Sequence, residues 1–323
     1  MLAIQAVRAG GPEVLEAVDL PVPAPGPGEI LIRHEAIGLN FIDTYQRTGL
    51  YPVKLPGVLG LEGAGVVEAI GEGVTRFVPG DRAAYGNGPL GGYAEFHVVP
   101  AGRAVKIPAA ISSQTAAAAM LKGMTAEFLL RRCYAVKKGD AVLVHAAAGG
   151  VGTILTQWAK ALGATVIATA GSPDKAALAK DYGADETILY RDEDVAARVR
   201  AITGGAGVRV VYDGVGAATF EGSLGSLGRR GMLVSYGNAS GPAPAVEPLR
   251  LSRGGSLFLT RPTLFDYVVT TEELDESAGA LFEVIGSGAV KIGIGQTFPL
   301  SQTRQAHEAL EARATTGSTL LIP

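Results

Sequence analysis

From residue 141 to residue 260 the chain alternates short, almost wholly apolar runs with segments of helical spacing. The runs are 141–146 (AVLVHA), 165–170 (TVIATA), 186–190, 208–212, 232–235 and 256–260, and helical patterns fill 154–162, 174–182 and 195–202 between them. A strand that is apolar on both sides must be covered on both faces. A strand–helix–strand succession achieves this when the strands run parallel and the helices pack on either side. The alternation therefore predicts an α/β fold, a doubly wound parallel sheet of the Rossmann kind.

The first third has a different texture. Short β-branched runs at 29–36, 65–70 and 93–99 are interrupted by PAPGPG (23–28), VPGD (78–81) and GNGPLGG (86–92), the punctuation of a compact all-β unit. An alanine-rich segment of helical spacing, 115–130, separates this part from the alternating one. Beyond Pro262 the pattern is mixed, with a helix near 277–285, a strand at 295–299, a helix near 303–314 and a closing apolar tail. The 45 glycines, roughly twice the usual share of ~7%, gather at turns rather than in repeats.

The sharpest local signal follows the first apolar run. HAAAGGVG sets Ala147, Gly149 and Gly152 at the three glycine places of the dinucleotide fingerprint G-x-G-x-x-G, with alanine at the first. Such a turn leaves the strand tightly, lets backbone approach a pyrophosphate at Gly149, and packs the next helix closely at Gly152, its N-terminal N–H groups aimed at the phosphate. An NAD enzyme has an acidic residue at the tip of the second strand for the ribose diol. Here TVIATA ends in Gly171, Ser172 and Pro173, with Lys175 just beyond and Tyr190–Arg191 closing the third strand. Hydroxyl and cation without carboxylate suit a 2′-phosphate, hence NADPH. The rival reading makes Asp174 the ribose ligand of an NADH enzyme and Lys175 a solvated helix residue.

The net charge of −3 gives no electrostatic footprint for nucleic acid or an anionic membrane. The apolar stretch 115–130, carrying Lys122 and Glu127, is too short and too charged to span a bilayer. The single cysteine, Cys133, excludes an internal disulfide and a multi-cysteine metal site. With no secretory pattern at the start of the sequence, the expected location is the cytoplasm. No nucleophile elbow or serine–histidine–acid pattern is present.

With these residues in view, the chain resembles the zinc-free quinone oxidoreductase (zeta-crystallin-like) branch of the medium-chain dehydrogenase/reductase superfamily. The segments that carry the resemblance are GLNFIDTYQRTGLYP (38–52), PGVLGLEGAGVV (56–67), GDRAAY (80–85), GGYAEF (91–96), KGMTAEFLL (122–130), VVYDGVG (210–216), SLFLTRP (256–262) and HEALEARATTGSTLLIP (307–323), in order along the whole chain. The resemblance implies a GroES-like β domain from residues 1–122 plus 263–323, a Rossmann domain inserted at 123–262, an active cleft between them, and a homodimer formed through the segment around 256–260. It also implies site residues. Asn40, Tyr45 and Tyr51 would face nicotinamide and substrate, and Thr125 the middle of the cofactor. Gly149, Gly150 and Val151 would carry the pyrophosphate; Gly171, Ser172, Lys175 and Tyr190 the 2′-phosphate. Val215, Asn238, Phe258, Thr260 and Arg313 would line the remaining channel. Each has a plainer alternative: Asn40 as a turn cap, the tyrosines as core or rim, Arg313 as a surface charge.

Zinc members of the superfamily carry cysteine where Asn40 stands and Gly-His-Glu where this chain has Gly60, Leu61 and Glu62. Leucine ligates no metal and a carboxamide is a poor zinc ligand, so no metal is expected. His145, inside the first apolar strand, reads as a packed, hydrogen-bonded core residue. Without a Lewis acid, the expected chemistry is hydride or electron delivery from NADPH to an acceptor that is already electrophilic, a quinone first and an α,β-unsaturated carbonyl second. The alternative of another class is a crystallin-like binding or structural protein with RNA affinity, against which the acidic charge and the fingerprint both speak.

Overall fold

The computed structural model describes residues 1–323 and falls into two compact units. The first comprises Met1–Met124, Tyr267–Gly286 and Ile292–Pro323; the second comprises Thr125–Asp266 and Ser287–Lys291. The short segment Ser287–Lys291, expected in the first unit, is held in the second by Gln157. Its Nε2 donates to Lys291 O at 2.9 Å and its Oε1 accepts from Lys291 N at 2.8 Å.

The chain opens with strands β1 (Leu2–Ala6), β2 (Leu15–Asp19) and β3 (Glu29–Leu39). Helix α1 (Phe41–Thr48) follows, then β4 (Gly57–Val58), β5 (Gly63–Ile70), β6 (Arg82–Tyr85), β7 (Phe96–Pro100), β8 (Val105–Lys106) and helix α2 (Ser113–Phe128). β3 is the spine of the first unit and pairs antiparallel with both β5 and β7. Ile30 and Ile32 of β3 pack with Val67, Phe77, Tyr85 and Val99 in one buried cluster, while Ile37 and Leu39 join Ile4, Leu59 and Tyr93 in another. α1, short and amphipathic with Phe41, Ile42 and Tyr45 on one side, is bounded by its ends: Asn40 and Asp43 form a capping box, and Gly49 closes the helix at φ 83°.

The second unit contains β9 (Ala141–Val144), α3 (Gly150–Ala161), β10 (Thr165–Ala170), α4 (Pro173–Asp181), β11 (Glu186–Leu189), α5 (Val195–Ile202), β12 (Val208–Asp213), α6 (Phe220–Ser226), β13 (Leu227–Ser235), α7 (Pro248–Arg253) and β14 (Phe258–Thr260). Its six strands run parallel in the order β11-β10-β9-β12-β13-β14. The winding reverses at β9, and ligands bind outside the carboxyl ends of the strands at such a switch point. α3 begins at Gly150, ahead of the first apolar residue of its pattern, because its opening turn is made of glycines. α6 is hidden by glycine inside FEGSLGS.

The chain then adds α8 (Thr271–Gly286), β15 (Ile294–Pro299), α9 (Thr303–Glu311) and β16 (Ser318–Ile322) to the first unit. β16 pairs antiparallel with β3, completing a sheet in the order β15-β16-β3-β5-β6-β8 with β7 beside β3. α8 starts at Thr271 rather than near 277. Glu273 draws back the N–H groups of Val269 and Thr270 at 2.8 and 3.0 Å, starting the helix inside the acidic run that masks its apolar face. No helix is long and apolar enough to cross a membrane.

Candidate cofactor and substrate site

In the second unit the expected cofactor residues sit at the C-terminal ends of successive strands. The turn after β9 leads into α3 with Gly149 at the N-cap and no side chain capping the first turn, so the N–H groups of Gly150, Val151 and Gly152 meet no side-chain acceptor. A Cβ on Gly152 would stand 2.3 Å from Ala146 O and 2.7 Å from Ala147 Cα, whereas one on Gly149 would meet only Ala146 O, at 3.2 Å. Gly152 is there for helix–strand packing, and Gly149 leaves open space where a ligand's phosphate would approach. Ala147, in place of the first glycine, is fully buried.

Strand β10 ends against β11, and the two tips meet. The Tyr190 hydroxyl lies so close over Gly171 that a Cβ there would be 2.6 Å from it. Ser172 is the N-cap of α4, its Oγ accepting from Lys175 N at 3.4 Å, with Pro173 and Asp174 in the first turn. Gly171, Ser172, Lys175 and Tyr190 thus form one corner. Asp174 stands within the helix, where an acidic residue complements the dipole.

Val215 and Asn238 belong to the loops after β12 and β13, which touch: a Cβ on Gly216 would be 3.3 Å from Asn238 Cα. Asp213 orders the first loop, and sequence reasoning gave it no role. Only 1% exposed, its carboxylate accepts from Val215 N (2.8 Å), Gly216 N (3.0 Å), Thr219 Oγ1 (2.8 Å) and Ser223 Oγ (2.7 Å). Ser223 in turn meets His145 Nε2 at 2.9 Å, and His145 Nδ1 meets Thr169 Oγ1 at 3.0 Å. Burial lowers the His145 pKa, so this histidine is the neutral, bonded core residue its strand position implied. Phe258 and Thr260 lie on β14, the edge strand, where Phe258 is 55% exposed. Thr125 is a buried residue of α2.

In the first unit Asn40, Tyr45 and Tyr51 come together around α1. Tyr51 N donates to Tyr45 O at 3.0 Å, and the two rings meet edge-on with centroids 5.3 Å apart. Asn40 is both a helix cap and something more, since its Nδ2 donates to Glu62 Oε2 at 2.8 Å. Arg313 follows α9 in a left-handed conformation, φ 57°, uncommon for a residue with a side chain.

Beneath Asn40 runs a buried chain of polar groups. Asn40 N donates to Asp43 Oδ2 at 2.9 Å. Arginine only donates, so His307 Nδ1 accepts from Arg47 Nη1 (2.9 Å) and the proton sits on Nε2, which donates to Tyr93 Oη (3.0 Å). Tyr93 then donates to Asp43 Oδ2 at 2.7 Å. Burial lowers His307 to about 3, and the Arg47 charge pushes the same way. Burial raises Asp43 to about 7 against the pull of its bonds from Tyr93 and Asn40. A carboxyl raised on folding contributes stability that is complete below about pH 4 and is lost as pH climbs to 7, about 4 kcal/mol across that window. Asp43→Asn should therefore gain on the wild type as pH rises from 4 to 8, by most of that amount in urea-unfolding free energy. A difference independent of pH would refute it.

Models of two protein families match the chain: "Alcohol dehydrogenase GroES-like domain" over residues 26–109 and "Zinc-binding dehydrogenase" over 150–283. The quinone oxidoreductase of Pseudomonas aeruginosa is 53% identical over 321 residues, 99% of each chain. The 2-haloacrylate reductase of a Burkholderia species is 43% identical over 323 residues, 98% of this chain and 97% of its own. Among solved structures, Escherichia coli quinone oxidoreductase complexed with NADPH superposes with a TM-score of 0.98 at 49% identity over 100% of both chains. The zinc in the second family's description does not fit the residues here. Beside Asn40 and Leu61, the Glu62 carboxylate is already held by the Lys122 ammonium at 2.8 Å, and a dication would be set against that charge.

Proposed function

The chain belongs to the quinone oxidoreductase branch of the medium-chain dehydrogenase/reductase superfamily, and on that premise we propose that it is an NADPH-dependent quinone reductase working without a metal. One observation carries the reading: an uncapped glycine turn opens α3, and Ser172 after β10, Lys175 of α4 and Tyr190 after β11 share a corner in which the one acidic residue, Asp174, lies within the first turn of α4.

Bound NADPH supplies a hydride. The N–H groups of Gly150 and Val151 hold the diphosphate through hydrogen bonds and the positive end of the α3 dipole. Lys175, Ser172 and Tyr190, over Gly171, select the 2′-phosphate. Thr125, Val215, Asn238, Phe258, Thr260 and Arg313 are assigned to the rest of the cofactor's length. Asn40, Tyr45 and Tyr51 position a flat acceptor by hydrogen bonding and by ring contact. A quinone taking up a hydride and one proton from water becomes an aromatic hydroquinone, so positioning of the acceptor suffices and no obligatory general acid is required.

A second reading, reduction of an activated alkene, is favoured by one fact: the relative at 43% identity is a 2-haloacrylate reductase. Turnover of 1,4-benzoquinone against an enone, with NADPH and NADH, decides. The quinone should lead in kcat/KM, and Lys175→Ala should raise KM for NADPH by about 30-fold while leaving NADH within about 2-fold, the loss of one charge-assisted contact. A large preference for the enone, or an equal effect of Lys175→Ala on both cofactors, would overturn the corresponding assignment.

The exposed Phe258 and Leu259 on edge strand β14 support pairing of two copies into a homodimer. A lone cysteine suits a reducing compartment, and we place the enzyme in the cytoplasm.

A further inference from the structure

We propose that Glu62 and Lys122 are positioning residues of the reduction, an internal ion pair that locks the Asn40 carboxamide in one orientation. The inference rests on the placement of Asn40 in the site given above.

All three groups are nearly inaccessible: Glu62 is 0% exposed, Lys122 5% and Asn40 5%. The Glu62 carboxylate takes three donors. Oε1 accepts from Leu121 N at 2.7 Å, and Oε2 accepts from Lys122 Nζ and Asn40 Nδ2, both at 2.8 Å. Asn40 Nδ2 also points to Gly38 O, at 3.4 Å. Turning the amide over would set Oδ1 against a carboxylate and a carbonyl, so the network permits one orientation. What Asn40 presents to a ligand is therefore decided by Glu62.

The chain makes room for this arrangement at a cost to packing. A Cβ on Gly38 would lie 2.0 Å from Glu62 Oε2 and 2.5 Å from Ala117 O, so only glycine admits the carboxylate. Lys122 shares its face of α2 with Ala118, Ala119, Thr125 and Ala126, all buried. A buried ion pair seldom stabilises a fold more than apolar residues of the same size would, and breaking one by removing a single partner strands a charge. Beyond the Leu121 N–H that Oε1 accepts, packing in this place gives no reason for two charges. Asn40 does, because a carboxylate oxygen already fixed by Lys122 Nζ is a strong, immobile acceptor for its amide.

Two variants test the assignment. In Glu62→Gln the carboxamide offers one oxygen to three donors, and the relief closest at hand is for Asn40 to turn over. In the double variant E62L/K122M both charges leave together, so the protein folds while Asn40 loses its anchor. In each, kcat with NADPH and benzoquinone should fall by about 100-fold, with the NADPH Kd within about 3-fold of wild type. The side-chain amide of Asn40, followed by NMR in the protein without ligands, should show two well-separated, slowly exchanging protons in the wild type and lose that protection in both variants. Wild-type kcat in the folded double variant, or an unchanged Asn40 amide signal, would overturn the proposal. If the wild type itself turned over no quinone, the proposed function would fall, and the amide signal would still decide the role of the pair.

Discussion

Gly152→Val is expected to weaken NADPH binding by at least about 100-fold and to remove about 3 kcal/mol of stability. The obstruction is backbone: the first added carbon would already stand 2.3 Å from Ala146 O and 2.7 Å from Ala147 Cα, and neither can swing aside. α3 must move off β9, carrying its first-turn N–H groups away from where a diphosphate would meet them. Gly149→Ala is the contrast. Its new methyl meets only Ala146 O, at 3.2 Å, so stability should change by less than about 1 kcal/mol while affinity for NADPH falls about 10-fold through loss of approach space. Fluorescence titration with NADPH and denaturant unfolding of both variants separate the two roles. Wild-type affinity in Gly152→Val would remove the turn from the cofactor site.

Asp213→Ala should cost about 4 kcal/mol, because it strips the acceptor from two backbone N–H groups and two hydroxyls around a side chain only 1% exposed. The loss does not stop at the loop carrying Val215. Ser223, released, no longer fixes His145, and His145 no longer fixes Thr169 near the C-terminal end of β10. One carboxylate thus ties the ends of three neighbouring strands, and NADPH affinity should fall with stability. Unfolding in urea, with NADPH titration at a temperature where the variant is folded, checks it. A loss below about 1 kcal/mol would show that the loop orders itself without the acid.

The parallel sheet was readable because strands buried on both faces are written as solid apolar runs, and the turn after β9 because backbone geometry there admits only small residues. The helices at Phe41–Thr48, Phe220–Ser226 and Pro248–Arg253 were not, being six to eight residues long, too short for a helical period to repeat, and the second is interrupted by glycine. Asn40 was named as a site residue with a turn cap as its alternative, and it is in fact a helix cap whose side chain has a second partner. Its partners, Glu62 and Lys122, read in sequence only as a residue at a lost metal position and a charge within an apolar stretch. Nothing local in sequence links residues so far apart, and only the fold brings them to one point. The one available signal was the anomaly of a lone charge in each apolar run, GLEGAG and AAAAMLKGM.

The two units are threaded differently, and that sets an order on how the molecule is made. The unit with the glycine turn is nearly continuous, while the other closes only when β16 lays Thr319 against Leu39, joining the two extremes of the polypeptide. Closing so long a loop is slow and comes last. As the chain leaves the ribosome, the unit assigned above to the nucleotide can therefore assemble before the unit assigned to the acceptor. On the proposed assignment, a nascent molecule would gain its hold on reducing power first and the means to spend it only once the last strand is in place.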